Sequence, residues 1–318
     1  MTTMQTTRNL PRLMAGSVVV LLMAFITFSC GGEEGSRTES AVAGDVTVLV
    51  DEEIRPLLDS IVIYHARENP KARITLKTLP ASAIMHGMID RSERVAIVAR
   101  GYTHQEDSLM SAAQIDTVSR ALIARDALVF FVAKSFPYDT MNAEHIRLWL
   151  AGKGGAGASY PKLKRSPVFV VPGGSAGSVY GNVSNVVLRG GQPASSMLAT
   201  VSTHRDVIRQ VAGNSDYIGV GYLSQLRKDT SVKPLRLSYT APDGTHEWPK
   251  PVHAAYLIMG KYPFPVPIFA YVNSKPSQHD LAFGFMQFAT RSSKAQYSLF
   301  NAGIEPAHAK FTLYLPED

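Results

Sequence analysis

Residues 168–181 read VFVVPGGSAGSVYG: an apolar run, a cluster of small residues, then the start of an amphipathic segment. The run has the length and β-branched content of a buried strand, and the spacing from Ser178 onward predicts a helix over 178–190. Gly173 to Gly177 spells G-x-S-x-G. Strand before and helix after is the context of a hydrolase nucleophile elbow, with Ser175 as nucleophile. The same context suits a cradle in which free backbone N–H groups and the hydroxyls of Ser175 and Ser178 face an anion. Asp243 and His253 follow as candidate partners for a nucleophile, but nearly any chain this long supplies such a pair, and no H-G-G-G oxyanion motif is present. The cradle reading draws on more of the sequence.

Working outward, short apolar strands alternate with amphipathic helices, which argues for a parallel α/β sheet. VTVLV (46–50), ARITLKTL (72–79), RVAIVAR (94–100), PVFVV (167–171) and YIGVGYL (217–223) read as strands. ALVFFVA (127–133) is the most continuous apolar strand, as expected for one covered on both faces. ASAIMHGMID (81–90), NAEHIRLWLAG (142–152) and HRDVIRQVAG (204–213) read as helices, with Ser82 near the start of the first. VHAAYLIMG (252–260) and VPIFAYVN (266–273) are expected to be late strands, and 280–303 one or two closing helices. Arg100, at the carboxyl end of the third strand, is placed to add a cation and a fork of donors to an anion site.

The bulk properties fit this picture. A chain of 318 residues with 45% hydrophobic and 18% charged residues is long enough to bury a sizeable core. The net charge of +6 is modest, and Arg8 and Arg12 supply two of those charges. Lys and Arg are scattered apart from the short cluster at 162–165, which argues against nucleic acid as a partner. The first residues carry two arginines and no acid, and an uncharged apolar run at 13–28 ends at Ser29-Cys30. This pattern predicts a secretory signal over 1–29. The run is too short for a comfortable span of about 20 residues, although an uncleaved anchor helix remains open as the alternative. Cys30 is the only cysteine, so no internal disulfide is possible. The junction resembles a bacterial lipoprotein signal, with Thr27 where leucine is usual. That resemblance implies lipidation of Cys30, a flexible tether over 30–44, and a protein in the periplasm or cell envelope anchored to a membrane.

Other motifs fail on context. GKGGAG (152–157) matches G-x-G-x-x-G but follows a helix, with no helix opening after it, so it lacks the dinucleotide-binding setting. No G-x-x-x-x-G-K-[ST] loop occurs. The nine histidines stand singly, without metal-ligand spacing, so no metal and no cofactor are expected.

The ordered series VDEEIRPLLD (50–59), VARGYTHQE (98–106), GGSAGSVYGNVSNVVLRG (173–190), DYIGVGYLS (216–224), YPFPVPIFAYVN (262–273) and FGFMQFATRSSKAQYSLFNAGIEPA (283–307) resembles one family. These are the periplasmic phosphate-binding proteins of phosphate ABC transporters (PstS-like), in the lipoprotein versions of Bacteroidetes-type bacteria. The resemblance implies a type II periplasmic binding protein fold, with two α/β lobes joined by crossing hinge strands and a ligand cleft between them. One lobe would be 45–128 plus 262–318 and the other 129–261, with the crossings near ALVFFVAK and PVPIFAYVN.

Carried over residue by residue, the resemblance makes Ser178 and the Gly177 amide ligand contacts, with Ser175 and Ala176 in the same loop. Ser82 aligns with a serine donor of the first lobe. Arg100 stands where many relatives have an aspartate, and Glu52 and Glu53 occupy the loop after the first strand. Pro172 and Gly181 replace arginines that relatives place around the loop, so the identity of the oxyanion is left open. The implied function is a non-enzymatic, monomeric receptor that delivers phosphate or a similar oxyanion to an ABC permease. Two alternatives stand beside it: an envelope lipoprotein acting as sensor or partner module with a TonB/ExbD-type complex, and a serine hydrolase using Ser175.

Overall fold

The computed structural model describes residues 39–114, 118–157, 159–273 and 280–308. The predicted signal over 1–29, the lipidation site Cys30 and most of the predicted tether lie outside the described residues. Residues 39–44, assigned to the tether above, lie against the folded body. Glu39 pairs with Arg94, and the Leu281 N–H donates to its carboxylate at 3.2 Å. Among the described residues no helix is long and apolar enough to cross a membrane.

The chain runs β1 (Gly44–Asp51), α1 (Arg55–Glu68), β2 (Ala72–Leu79), α2 (Ala81–Ile89), β3 (Val95–Val98), α3 (His104–Ala112) and β4 (Ser119–Ala133). It continues with β5 (Thr140–Asn142), α4 (Ala143–Leu150), β6 (Val168–Pro172), α5 (Ser178–Asn182), β7 (Leu198–Val201), α6 (His204–Ala212), β8 (Tyr217–Tyr222) and α7 (Leu223–Leu226). The last elements are β9 (Val232–Pro234), β10 (Arg236–Thr240), β11 (His246–Glu247), α8 (Ala254–Ile258), β12 (Pro265–Val272), α9 (Leu281–Arg291), α10 (Ser293–Asn301) and β13 (Glu305–Pro306).

The principal strand order is β2-β1-β3-β12-β4-β8-β6-β7. Each end is parallel, as βαβ connections require: β1 with β2 and β3, and β6 with β7 and β8. The middle departs from the expected parallel sheet, because β12 is antiparallel to both β3 and β4, and β4 is antiparallel to β8. One strand joins the two ends. Residues from Ser119 to Ala127 of β4 pair with β12, and Leu128 to Val132 pair with β8. At this switch the Leu128 N–H donates to the Phe264 carbonyl at 2.9 Å, and the Tyr262 hydroxyl donates to the Leu128 carbonyl at 3.0 Å. Two chain segments therefore cross together between the halves.

The second half of β4 is the spine of the core. Leu128, Val129, Phe130, Phe131 and Val132 are all fully buried, which is why the sequence there is uniformly apolar. Each such side chain contributes on the order of 1.5–3 kcal/mol on leaving water. The first half, SRALIARD, passes from exposed at Ser119 and Arg120 to buried at Ile123 and Ala124, and its strand character is not evident in the sequence.

One element differs in kind from expectation. Residues 252–260 do not form a strand; Ala254–Ile258 is a short helix. The His253 ring accepts the Ala255 N–H at 3.2 Å and so caps it. A short apolar run has no period that separates a buried strand from a buried helix, and here the cap decides.

Candidate functional site

β6 ends at Pro172, and Gly173 and Gly174 follow with φ of 66° and 58°. Two successive left-handed residues are cheap only for glycine, and they double the chain back into the 3-10 turn Gly174–Ala176. A Cβ on Gly173 would also meet Glu52 Oε1 at 3.0 Å. Gly177 then caps α5, which begins at Ser178 as expected but remains α-helical for only five residues. It loosens into a π-turn over Val183–Val187, short of the predicted end at 190, and Arg189 and Gly190 leave it with positive φ.

Ser82, Arg100, Ser175, Ala176 and Gly177 all line one cavity of about 1040 Å3. Its walls come from both halves: α2, the segment after β3 and the start of α3 on one side, the 175–192 segment on the other. Gly181 lies directly on Arg100, where a Cβ would be 2.8 Å from Arg100 Cδ. Ser184 also lines the cavity, and its hydroxyl is buried with no hydrogen-bond partner among the described residues.

Three predicted residues lie elsewhere. Ser178 is completely buried and turns away from the cavity. Glu52 is half-buried beside Gly173. Glu53 is 5% exposed and is held by Gln225, whose Nε2 donates to its carboxylate at 2.7 Å and to its carbonyl at 2.9 Å. Burial pushes the Glu53 carboxyl up to about 7, opposed by the Gln225 bond and reinforced by the neighbouring Asp51 and Glu52 charges.

Behind the loop lies a polar group that the sequence reading missed. Asp51, the last residue of β1, is completely buried. Its carboxylate accepts the Glu53 N–H at 3.2 Å, the Ala99 N–H at 3.1 Å and a hydrogen bond from Ser178. The Ser178 hydroxyl accepts in turn from Tyr222 at 2.8 Å. Asn182 Nδ2 donates to the Ala99 carbonyl at 2.6 Å and to the Tyr222 hydroxyl at 2.9 Å. Burial raises the Asp51 carboxyl, while its hydrogen bonds to Ser178, Ala99 and Glu53 and the nearby Arg100 pull the other way. Burial also holds the Tyr222 hydroxyl well above its ordinary value. The signal was present as three successive acids closing a strand, but the groups that enclose Asp51 come from as far along the chain as Ala99 and Ser178.

Arg100 is likewise engaged. Only 2% exposed, it makes a bidentate pair with Glu106, both bonds at 2.7 Å, and donates to the Gly101 carbonyl at 3.0 Å. Arg100, expected to add a cation and a fork of donors to an anion site, has its charge matched by Glu106 within the protein. Glu106 is held in place by a capping box, with Thr103 at the start of α3.

The elements of a hydrolase are not assembled. Ser175 is exposed on the 3-10 turn, and among the described residues no histidine is hydrogen-bonded to it. His253 lines a different cavity, of about 560 Å3, and Asp243 accepts the Thr245 N–H in the β10–β11 turn. No group of three or more His, Cys, Asp or Glu residues suited to a metal ion occurs among the described residues.

No family model matches the chain, and no curated relative matches it. Solved structures do. A protein from Clostridium perfringens, assigned as a phosphate ABC transporter substrate-binding protein and crystallised with bound phosphate, superposes with a TM-score of 0.65 at 15% identity. The match covers 83% of this chain and 100% of that one. An ABC-type phosphate transport receptor from Vibrio cholerae gives a TM-score of 0.61 at 13% identity, over 83% of this chain and 100% of its own. An OxyR cysteine mutant from Corynebacterium glutamicum gives 0.51 at 13% identity, over 91% and 73%. With the strand order, the double crossing and the cavity between two α/β halves, these likenesses establish the architecture: the chain has the two-lobed type II periplasmic binding protein fold.

Proposed function

We propose that the protein is an extracytoplasmic solute receptor that takes phosphate or a similar oxyanion into the cleft between its lobes and hands it to an ABC permease. The observation that carries this is the convergence of Ser82 and Arg100 with Ser175, Ala176 and Gly177 on one cavity. Serine hydroxyls are uncharged donors that suit an anion in a low-dielectric cleft; the Gly177 N–H, expected as a contact, is instead taken by the Gly174 carbonyl at 3.2 Å within the 3-10 turn. The likeness to the Clostridium perfringens protein with bound phosphate supports the same class of solute. In this reading the lobes are 45–128 plus 262–318 and 129–261, the solute draws them together by a hinge motion, and lipidated Cys30 holds the monomer at a membrane. Receptor chemistry needs no bond-breaking, in keeping with the isolated Ser175.

Calorimetric titration of protein freed of bound solute, with phosphate, sulfate and molybdate in turn, tests the reading. It predicts heat of binding with at least one of them; none with any would contradict it. Mass spectrometry of membrane-extracted protein, comparing wild type with Cys30→Ala, tests the anchor.

A second reading, an envelope module working with a TonB/ExbD-type complex, is favoured by one observation: Arg100 is already paired with Glu106. Co-purification from detergent-solubilised membranes separates the two, since a receptor brings down a permease and a module does not.

A further inference from the structure

The carboxylate of Asp51 has the surroundings of a bound anion. Two backbone N–H groups of one lobe, from Glu53 and Ala99, point at it, and so does the hydroxyl of Ser178 from the other. The Arg100 guanidinium lies near enough to oppose the rise of its pKa. The Ser178 hydroxyl accepts from Tyr222 at 2.8 Å, which leaves its own proton available to the carboxylate. These donors stand just behind Gly177 and Arg100, which form the cavity wall. The bridge that a free oxyanion would make between the lobes is therefore made by a side chain of the protein. Neighbouring bonds run the same way: Asn182 reaches the Ala99 carbonyl across the cleft, and Asn185 donates to the Tyr102 carbonyl at 3.0 Å. The cavity in front keeps one donor in reserve, the buried Ser184 hydroxyl, which has no hydrogen-bond partner among the described residues.

We infer that Asp51 is a tethered competitor for the solute: its carboxylate holds the lobes together in the absence of solute, and a free oxyanion must displace it to reach Ser178, Glu53 N and Ala99 N. This rests on the proposed oxyanion-binding function and places an autoinhibitory residue directly behind the wall of that cavity. Its consequence is a lowered affinity for dianions. Asp51 costs an incoming dianion twice, through like-charge repulsion and through the donors it already holds. Removing the carboxylate frees the donors without removing any of them.

The test is calorimetric titration of sulfate, a dianion at every pH used, into wild type, Asp51→Ala and the near-isosteric Asp51→Asn, with thermal unfolding to show that each variant folds. The inference predicts sulfate binding at least tenfold tighter in Asp51→Ala than in wild type, with Asp51→Asn between them; should the alanine variant fail to fold, the asparagine variant decides. Unchanged or weaker binding in the variants, beside measurable binding by wild type, would overturn the inference and leave the receptor function standing. No sulfate binding by any of the three would overturn the inference, and no response to phosphate or molybdate either would remove the receptor function with it.

Discussion

The two ends of the cleft differ in everything except the backbone that builds them. At the inner end Asp51, Ser178, Asn182 and Tyr222 are buried and bonded to one another across the lobes. At the mouth Ser175 and Gln192 are exposed and Ser82 is half-exposed. The same loop, 173–178, reaches from one to the other in six residues. A polar group at the inner end sits where hydrogen bonds and charges act through a low dielectric, so its loss is severe; one at the mouth is compensated by water. The comparison ranks the residues: a site defined by position along the sequence is divided by burial into an inner part bonded within the protein and an outer part open to solvent.

The largest effect is expected where the two ends meet, at Arg100. Glu106→Ala leaves a guanidinium that is 2% exposed without its counter-ion, and should cost about 3–5 kcal/mol in urea unfolding. A loss below 1 kcal/mol, roughly that of a surface pair, would place Arg100 in water and merge the two ends. Gly181→Ala should follow. Its Cβ would stand 2.8 Å from Arg100 Cδ, and overpacking of this kind costs about 1–3 kcal/mol; because the two residues belong to opposite lobes, small-angle scattering should also show a wider cleft.

A third expectation concerns pH. Glu53 and Asp126 are both buried carboxyls, raised by desolvation to about 7 and about 6. Asp126 lies beside the crossing, where the Ser224 hydroxyl donates to it at 2.5 Å. Unfolded, both titrate near about 4. Between that value and their folded values the native state binds more protons than the unfolded chain, so stability falls as pH rises. Their contribution is complete below pH of about 4 and lost through about pH 6 to 7, with a slope of at most about 1.4 kcal/mol per pH unit for each group. Glu53→Gln should flatten the upper part of that decline in thermal unfolding from pH 5 to 8; an unaltered slope would show that Glu53 is not protonated in the fold. The smallest effect belongs to the mouth. Ser175→Ala should change stability by less than about 0.5 kcal/mol, and a fluorophosphonate probe should label neither form; labelling of wild type alone would restore the hydrolase reading.

How much of this was legible in the sequence follows from the same division. β2 and β12 were found to within a residue at each end, because their apolar residues and flanking turn residues leave no competing period. The first half of β4 was missed because its side chains run from exposed to buried with no period of two and carry three charges. Ser82, Arg100 and the 175–177 loop could be singled out because each stands at the end of a strand or the start of a helix, where an α/β fold places ligands, whereas Ser184, inside a helical stretch, carried no such mark. Asp51 and Glu106 were not singled out, because an acid beside a turn looks the same whether solvated or buried. What separates them is the other lobe: Ser178 lies 127 positions after Asp51, and no local pattern carries that contact.

The most direct test of the central claim is a crystal structure of the wild-type protein soaked with saturating sulfate. The account predicts an anion in the cleft accepting from Ser178 and from the Glu53 and Ala99 amides, with the Asp51 carboxylate swung out of that position. An empty cleft, with Asp51 still bonded to Ser178, would contradict it.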